Sequence, residues 1–249
     1  MSDRAIKAAK RFVRSFGIED ARDLANFEQI VRSRGARIFD DPTLTSAIGR
    51  IVIGDRNNAV IRVADALPPP RRRFTIAHEL GHFELHAKQT NLVLCSDSDV
   101  GSVISSRAIE NEANVFASNV LMPHFMFKKC LGTAAPTYQA LKECQRFFQV
   151  SFEAAALRAL EVCREPLYLL KFVEGSLVWG RQNNEWRKHN RKTLPRGMQP
   201  GSYSALHYAG VGSSYEEVDA EEYDLSADLE LKDVLLRGGE YPLVMLTLA

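Results

Sequence analysis

The stretch RFTIAHELGHFELH, Arg73–His86, restricts the fold more than any other part of the chain. It sets His78 and His82 four residues apart, with Glu79 directly after the first histidine. On a helix that spacing places both imidazoles on one face, a little more than one turn apart. The surrounding Thr75, Ile76, Ala77, Leu80, Gly81, Phe83 and Leu85 are mostly apolar, which suits a helix buried on several sides. Histidines in such a helix are costly unless their nitrogens find partners, and one shared metal ion satisfies both. The pattern is H-E-x-x-H, in which two histidines hold Zn2+ and the glutamate, turned about 100° round the helix, is general base to the attacking water. Gly81 costs about 1 kcal/mol in a helix interior and leaves room between the two ligands for backbone or substrate to approach.

The remaining chain has to supply the core that buries this helix. At 249 residues there is room for two unequal domains. A hydrophobic content of 45% with 25% charged residues is ordinary for a globular protein, and a net charge of +1 gives no global attraction to nucleic acid or to a membrane surface. The opening MSDRAIKAAKRFVRSFG spaces apolar residues at helical intervals among basic ones, without the continuous apolar core of a signal peptide or membrane span. The expected compartment is the cytoplasm. Cys95, Cys130, Cys144 and Cys163 include no C-x-x-C pair, so neither a disulfide framework nor a cysteine zinc knuckle is expected.

Residues 4–16 and 20–34 read as helices, the second ended by Gly35. ARIFDD reads as a strand and GRIVIGDRNNAVIRV as a hairpin turning at its Asp-Arg-Asn-Asn centre. A small sheet therefore precedes the histidine helix, and LPPP at Leu67–Pro70 is expected to stop it, with one helix following from Arg71. Residues 88–105 have no helical period and read as a long loop beside the metal. RAIENEANVFASNVLMP then repeats Ile109, Ala113, Phe116/Ala117, Val120 and Leu121 as an apolar helical stripe ended by Pro123, with further helices to residue 164. After Pro166 the texture changes to strands, a basic stretch, a Gly/Ser-rich stretch and an acidic run, closed by the strand LVMLTLA. The expected fold is α+β: a zinc domain over 1–165 with a helical end, then a small α/β domain over 166–249.

A catalytic zinc takes a third protein ligand and keeps one position open. The metzincin continuation needs Gly at position 85 and His at 88, where this chain has Leu85 and Lys88. A glutamate on a following helix remains, and both Glu110 and Glu112 sit on one. Glu112 adjoins Ala113 and precedes Phe116 by four residues, so it is read as bordering the buried face, with Glu110 roughly 200° away toward solvent.

RFTIAHELGHFELH followed some thirty positions later by ENEANVFASNVLMP resembles the ImmA/IrrE family of intracellular metallopeptidases over roughly residues 10–165. The resemblance implies a gluzincin-like minidomain with zinc on His78, His82 and Glu112 and with Glu79 catalytic. It also implies a protein substrate, typically a helix-turn-helix transcriptional repressor, cleaved in a phage, mobile-element, DNA-damage or anti-phage response. Residues 166–249 resemble loosely the GAF-like sensor domain that follows the peptidase in some members.

Other features carry two readings each. Gln145–Leu160 fits the second half of a helix-turn-helix, with Arg158 on its second helix, but without a clustered basic face a scaffolding or docking helix pair is the preferred reading. His86 extends the histidine face and is read as packing or capping rather than binding metal, while Arg71, Arg72 and Arg73 are expected to face solvent or an acidic partner. Cys95, thirteen residues after His82 in LVLCSDSD, is either a small residue in an apolar pocket or an inhibitory thiolate ligand that fills the open zinc position. The alternative to an enzyme is a zinc-containing regulator that binds the repressor or DNA without cutting.

Overall fold

The computed structural model describes residues 2–45, 47–54, 57–87, 93–94, 103–132, 136–173, 176–189, 214–219, 230–236 and 243–248. Cys95 lies outside them. Two units divide the chain: Met1–Met126 with Phe147–Val150, and Phe127–Arg146 with Ser151–Ala249. The boundary expected near residue 165 thus falls inside the second unit. The physical reason is that the helix Phe152–Val162 packs on the strand Leu167–Val173, with Glu153 bound to Lys171 Nζ at 2.7 Å.

In the first unit, α1 (Asp3–Ser15) begins at Ser2, whose hydroxyl accepts from the Ala5 N–H, and buries Ala5, Ala8, Ala9, Phe12 and Val13. The segment expected as one helix over 20–34 is instead a 3-10 turn, Ala21–Leu24, and a separate α2, Phe27–Ser33. Asp20 and Asp23 form a reciprocal cap there, which closes the first turn on itself. Burial alternates along most of β1 (Ala36–Asp41), β2 (Gly49–Ile53) and β3 (Ala59–Ala64). Ile38, Ile51, Ile53, Ile61 and Val63 fall on the buried side. With β4 (Val93–Leu94) they make a sheet of order β1-β3-β2-β4, parallel between β1 and β3 and antiparallel elsewhere.

α3 (Pro69–His86) lies against β2 and β3. It starts two residues earlier than expected, because prolines at the first helical positions give up only N–H groups that have no partner inside the helix. Arg72 binds Glu28 Oε1 at 2.8 Å and also Asp40, and Arg73 sits over the Phe27 ring. Of the three arginines at the head of α3, Arg72 therefore meets acidic groups, those of α2 and β1, while Arg73 packs on α2 rather than facing solvent or an acid. α4 (Val103–Leu121) packs against α3 on one side and α1 on the other, with Phe12 and Phe116 in edge contact at 6.0 Å between ring centroids.

The second unit contains α5 (His124–Leu131) for most of its length, most of α6 (Tyr138–Phe148), α7 (Phe152–Val162), α8 (Trp186–His189) and a five-stranded antiparallel sheet. The strands are β5 (Leu167–Val173), β6 (Ser176–Gln182), β7 (Ser214–Asp219), β8 (Glu230–Leu236) and β9 (Leu243–Leu248), in the order β6-β5-β9-β8-β7. Asn183 joins the sheet to α8: its side chain accepts from the Leu167 and Trp186 N–H groups and donates to the Glu165 carbonyl. Arg158 is 3% exposed and bound to Glu161 on its own helix, so the cation that a DNA-reading helix would need there is buried.

The close approach of α3 and α4 is set by Gly81. A Cβ at that position would lie 3.0 Å from the Ala113 Cα and 3.1 Å from its carbonyl oxygen. Backbone atoms give little, so Gly81→Ala is expected to lower stability by about 1–3 kcal/mol through overpacking. That outweighs the gain in helix propensity of up to about 1 kcal/mol. Denaturant unfolding of the metal-free protein measures it, and unchanged or higher stability would mean that α4 shifts freely.

Candidate metal centre

α3 carries His78 and His82 one turn apart on the side that meets α4. Their Nε2 atoms lie 3.1 Å from each other. Glu110 of α4 reaches both, with Oε2 at 3.0 Å from His78 Nε2 and Oε1 at 3.3 Å from His82 Nε2. Among the described residues, these three form the group able to hold a metal ion. The separations suit one tetrahedral ion: ligands about 2.0–2.1 Å from zinc stand roughly 3.3 Å apart. Two neutral imidazoles and a carboxylate are also a donor set that zinc accepts.

The placement corrects the choice of Glu112. Glu110 and Glu112 are about 200° apart on α4, so only one reaches the His78–His82 pair. Glu110 shares a side with Asn114, Ala113 and Ala117, at offsets of four, three and seven residues, and Ala113 is the residue that meets Gly81. Glu112 lies on the α1 side, where Oε1 accepts from the Ser2 hydroxyl at 2.7 Å and Oε2 meets His86 Nε2 at 3.1 Å and Arg4 Nη1 at 3.5 Å. The signal that selects Glu110 was present in the sequence: small residues mark the side of α4 able to come close to Gly81, and a shared ion requires that closeness. Asn114, which the sequence reading missed, sets its Oδ1 2.9 Å from His78 Nδ1 and can accept that proton, directing Nε2 toward the ion.

Glu79 is 4% exposed, next to the ligands, and its Oε2 is buried without a hydrogen-bond partner among the described residues. A buried carboxylate oxygen left bare beside three ligand atoms is what a site built for a cation and a polarised water presents. Gly49, at the start of β2, makes space for it: a Cβ there would meet Glu79 Oε1 at 2.7 Å and the Thr75 methyl closer still.

The titratable groups respond to burial in opposite ways. Burial pushes Glu79 from the ordinary 4.5 up to about 8, against the pull of His78. Glu110 is held far below its ordinary range by hydrogen bonds from His78 and His82. Burial lowers His82 and His86, which keeps both neutral. His78 is opposed by burial too, but Glu110, Glu79 and Asn114 together raise it.

Residues 32–160, over half of the chain, match the Peptidase_M78 family, described as the IrrE N-terminal-like domain. The radiation response metalloprotease IrrE of Deinococcus radiodurans is 33% identical over 113 residues, which is 45% of this chain and 34% of that protein. IrrE of Deinococcus deserti is 32% identical over 113 residues, 40% of its own length. The match thus spans well under half of the curated relatives. A solved Mycobacterium tuberculosis transcriptional regulator has a TM-score of 0.65 over 99% of this chain and 76% of its own, and at 18% identity the likeness speaks to the fold alone. No helix among the described residues is long and apolar enough to cross a membrane.

A carboxyl raised by folding contributes stability that is complete below pH 4.5 and is lost as the pH rises toward 8. His82 and His86, lowered by folding, act with the opposite sign as the pH rises to 6.5, and Glu79→Gln separates the two effects. Between pH 5 and pH 8 the metal-free wild type should lose stability relative to metal-free Glu79→Gln. Denaturant midpoints of both proteins across that range check this; parallel curves would mean that Glu79 is solvated in the folded protein.

Proposed function

Since the chain belongs to the ImmA/IrrE family of metallopeptidases, we propose that it is a zinc-dependent endopeptidase with His78, His82 and Glu110 as ligands and Glu79 as general base. The observation that carries this reading is the bare, buried Oε2 of Glu79 beside three converging ligand atoms. When bound, Zn2+ supplies Lewis-acid polarisation of the attacking water and of the scissile carbonyl. Glu79 takes the proton from the water and passes it to the departing amine, and its own burial, 4% exposed, keeps bulk water from competing for it. A divalent charge among the ligands opposes the effect of burial on Glu79 and returns it to the ionised form that a base requires. Glu110, its side chain 48% exposed, marks the side from which a peptide reaches the ion.

The proposed substrate is a helix-turn-helix transcriptional repressor, cut in the cytoplasm as part of a stress, mobile-element or anti-phage response. The family resemblance and the radiation-response activity in the names of the Deinococcus relatives support that part. A regulator that holds zinc only for structure has no use for an unpartnered carboxylate beside an open position, so the non-catalytic alternative is not favoured.

Glu79→Gln should keep zinc at the wild-type stoichiometry and reduce cleavage by about 100-fold or more, since the ligands stay and the base is lost. Glu110→Ala should lose most of the zinc. Metal analysis, together with co-expression with a candidate helix-turn-helix regulator and a blot for its fragments, decides both. Cleavage by Glu79→Gln at the wild-type rate would exclude the mechanism, and an uncut regulator in the wild type would exclude the substrate.

A further inference from the structure

Behind the ligand His82 stands a continuous chain of polar contacts that ends on the N-terminal helix. His82 Nδ1 lies 3.3 Å from His86 Nδ1, and His86 Nε2 lies 3.1 Å from Glu112 Oε2. The other oxygen of Glu112 accepts from the Ser2 hydroxyl at 2.7 Å, and Arg4 reaches both the Glu112 carboxylate and the Leu85 carbonyl. Both histidines are almost fully buried, at 2% and 1% exposure, so water is a poor substitute partner. The proton directions are forced by the two ends. An imidazole that offers its Nε2 lone pair to an ion carries its proton on Nδ1, and that proton can only be donated to an unprotonated Nδ1 of His86. His86 then has its own proton on Nε2, where the Glu112 carboxylate accepts it.

We propose that His86 and Glu112 are positioning residues for the metal, fixing the tautomer and ring orientation of His82, and that Ser2 and Arg4 tie this control to the N-terminal helix. The inference rests on the peptidase reading of the site, in which His82 is a ligand. It gives Glu112 a role distinct from that of Glu110: the carboxylate touches no ligand atom of the site and acts through two imidazoles. It also gives α1 a part in metal binding, because the hydroxyl that begins that helix is the same one that donates to Glu112.

The test measures zinc affinity by chelator competition on the full chain, for wild type, His86→Phe and Glu112→Gln, beside thermal unfolding of each metal-free protein. Loss of an outer partner of a ligating histidine weakens metal binding by about 10–100-fold, and that loss is expected in both variants. Ring-nitrogen NMR of the zinc-loaded wild type should place the His82 proton on Nδ1. A purely structural role would lower the metal-free unfolding temperature and leave zinc affinity within about twofold of wild type, which overturns the proposal; so does a His82 proton on Nε2. Should His86→Phe fail to fold, Glu112→Gln decides, since that side chain is partly exposed and the change keeps its size. If the wild type binds zinc and cleaves while the variants bind equally well, only the relay falls. A wild type that takes up no zinc overturns the peptidase reading along with it.

Discussion

The polar side of α3 is the constraint around which the first unit is built. His78, Glu79, His82 and His86 sit on a helix that also buries Ile76, Ala77, Leu80 and Phe83 fully or nearly fully. Removing that many titratable groups from water is unfavourable unless each finds a partner, and α3 itself provides too few. α4 provides them in two rows: Glu110 and Asn114 face His78 and His82, and Glu112 faces His86. The glycine at position 81 lets α4 come close enough for these contacts, and the α1 packing on its far side keeps it there. The hydrophobic contacts of Phe12 and Phe116 therefore hold the ligand geometry as much as they hold the core.

Much of this arrangement was legible in the sequence because it repeats with a period. The strands at Ala36–Asp41, Gly49–Ile53 and Ala59–Ala64 show in their apolar runs, and the bodies of α3 and α4 show in apolar spacing, although α4 begins at Val103, inside the stretch read as a loop. The choice between Glu110 and Glu112 was not settled by the same reasoning, since a single apolar stripe presumes one buried side. α4 has two, one toward α3, where Ala113 meets Gly81, and one toward α1, where Phe116 meets Phe12, and either glutamate borders one of them. Side-chain size, rather than hydrophobicity, separates them. The capped 3-10 turn at Ala21–Leu24 was hidden for a related reason: Asp20 and Asp23 act on each other locally, and that does not disturb the apolar spacing on either side.

The second unit was harder to read, and burial explains why. β5 runs Leu167, Tyr168, Leu169 and Leu170, all buried, and β9 runs Leu243 to Leu246 likewise, so neither alternates. Such strands announce a sheet covered on both faces but carry no information about their order. The boundary near residue 165 was drawn where the texture turns from helix to strand. Texture is a local property, and α7 belongs with the strand that follows it because of what it packs against. The GAF-like expectation rested on position and strand texture and gains nothing from the family match, which ends at residue 160.

The two carboxylates nearest the ligand pair show how environment assigns chemical roles. Glu79 and Glu110 have the same side chain and both act on His78, yet their proton affinities are driven apart. Glu110 is half exposed between two imidazoles that hydrogen-bond to it, so its charged form is favoured, which suits the anionic ligand proposed for it. Glu79 is enclosed by β2 and the α3 core with one oxygen unpaired, so it holds a proton readily, as a group that must accept and release one requires. Exchanging those surroundings would exchange the roles. Gly49 keeps them distinct: a side chain there would meet the Glu79 carboxylate and force it out of its enclosure. The enclosure of Glu79 thus depends on a missing Cβ in β2 as directly as the close approach of α4 depends on the missing Cβ of Gly81 in α3.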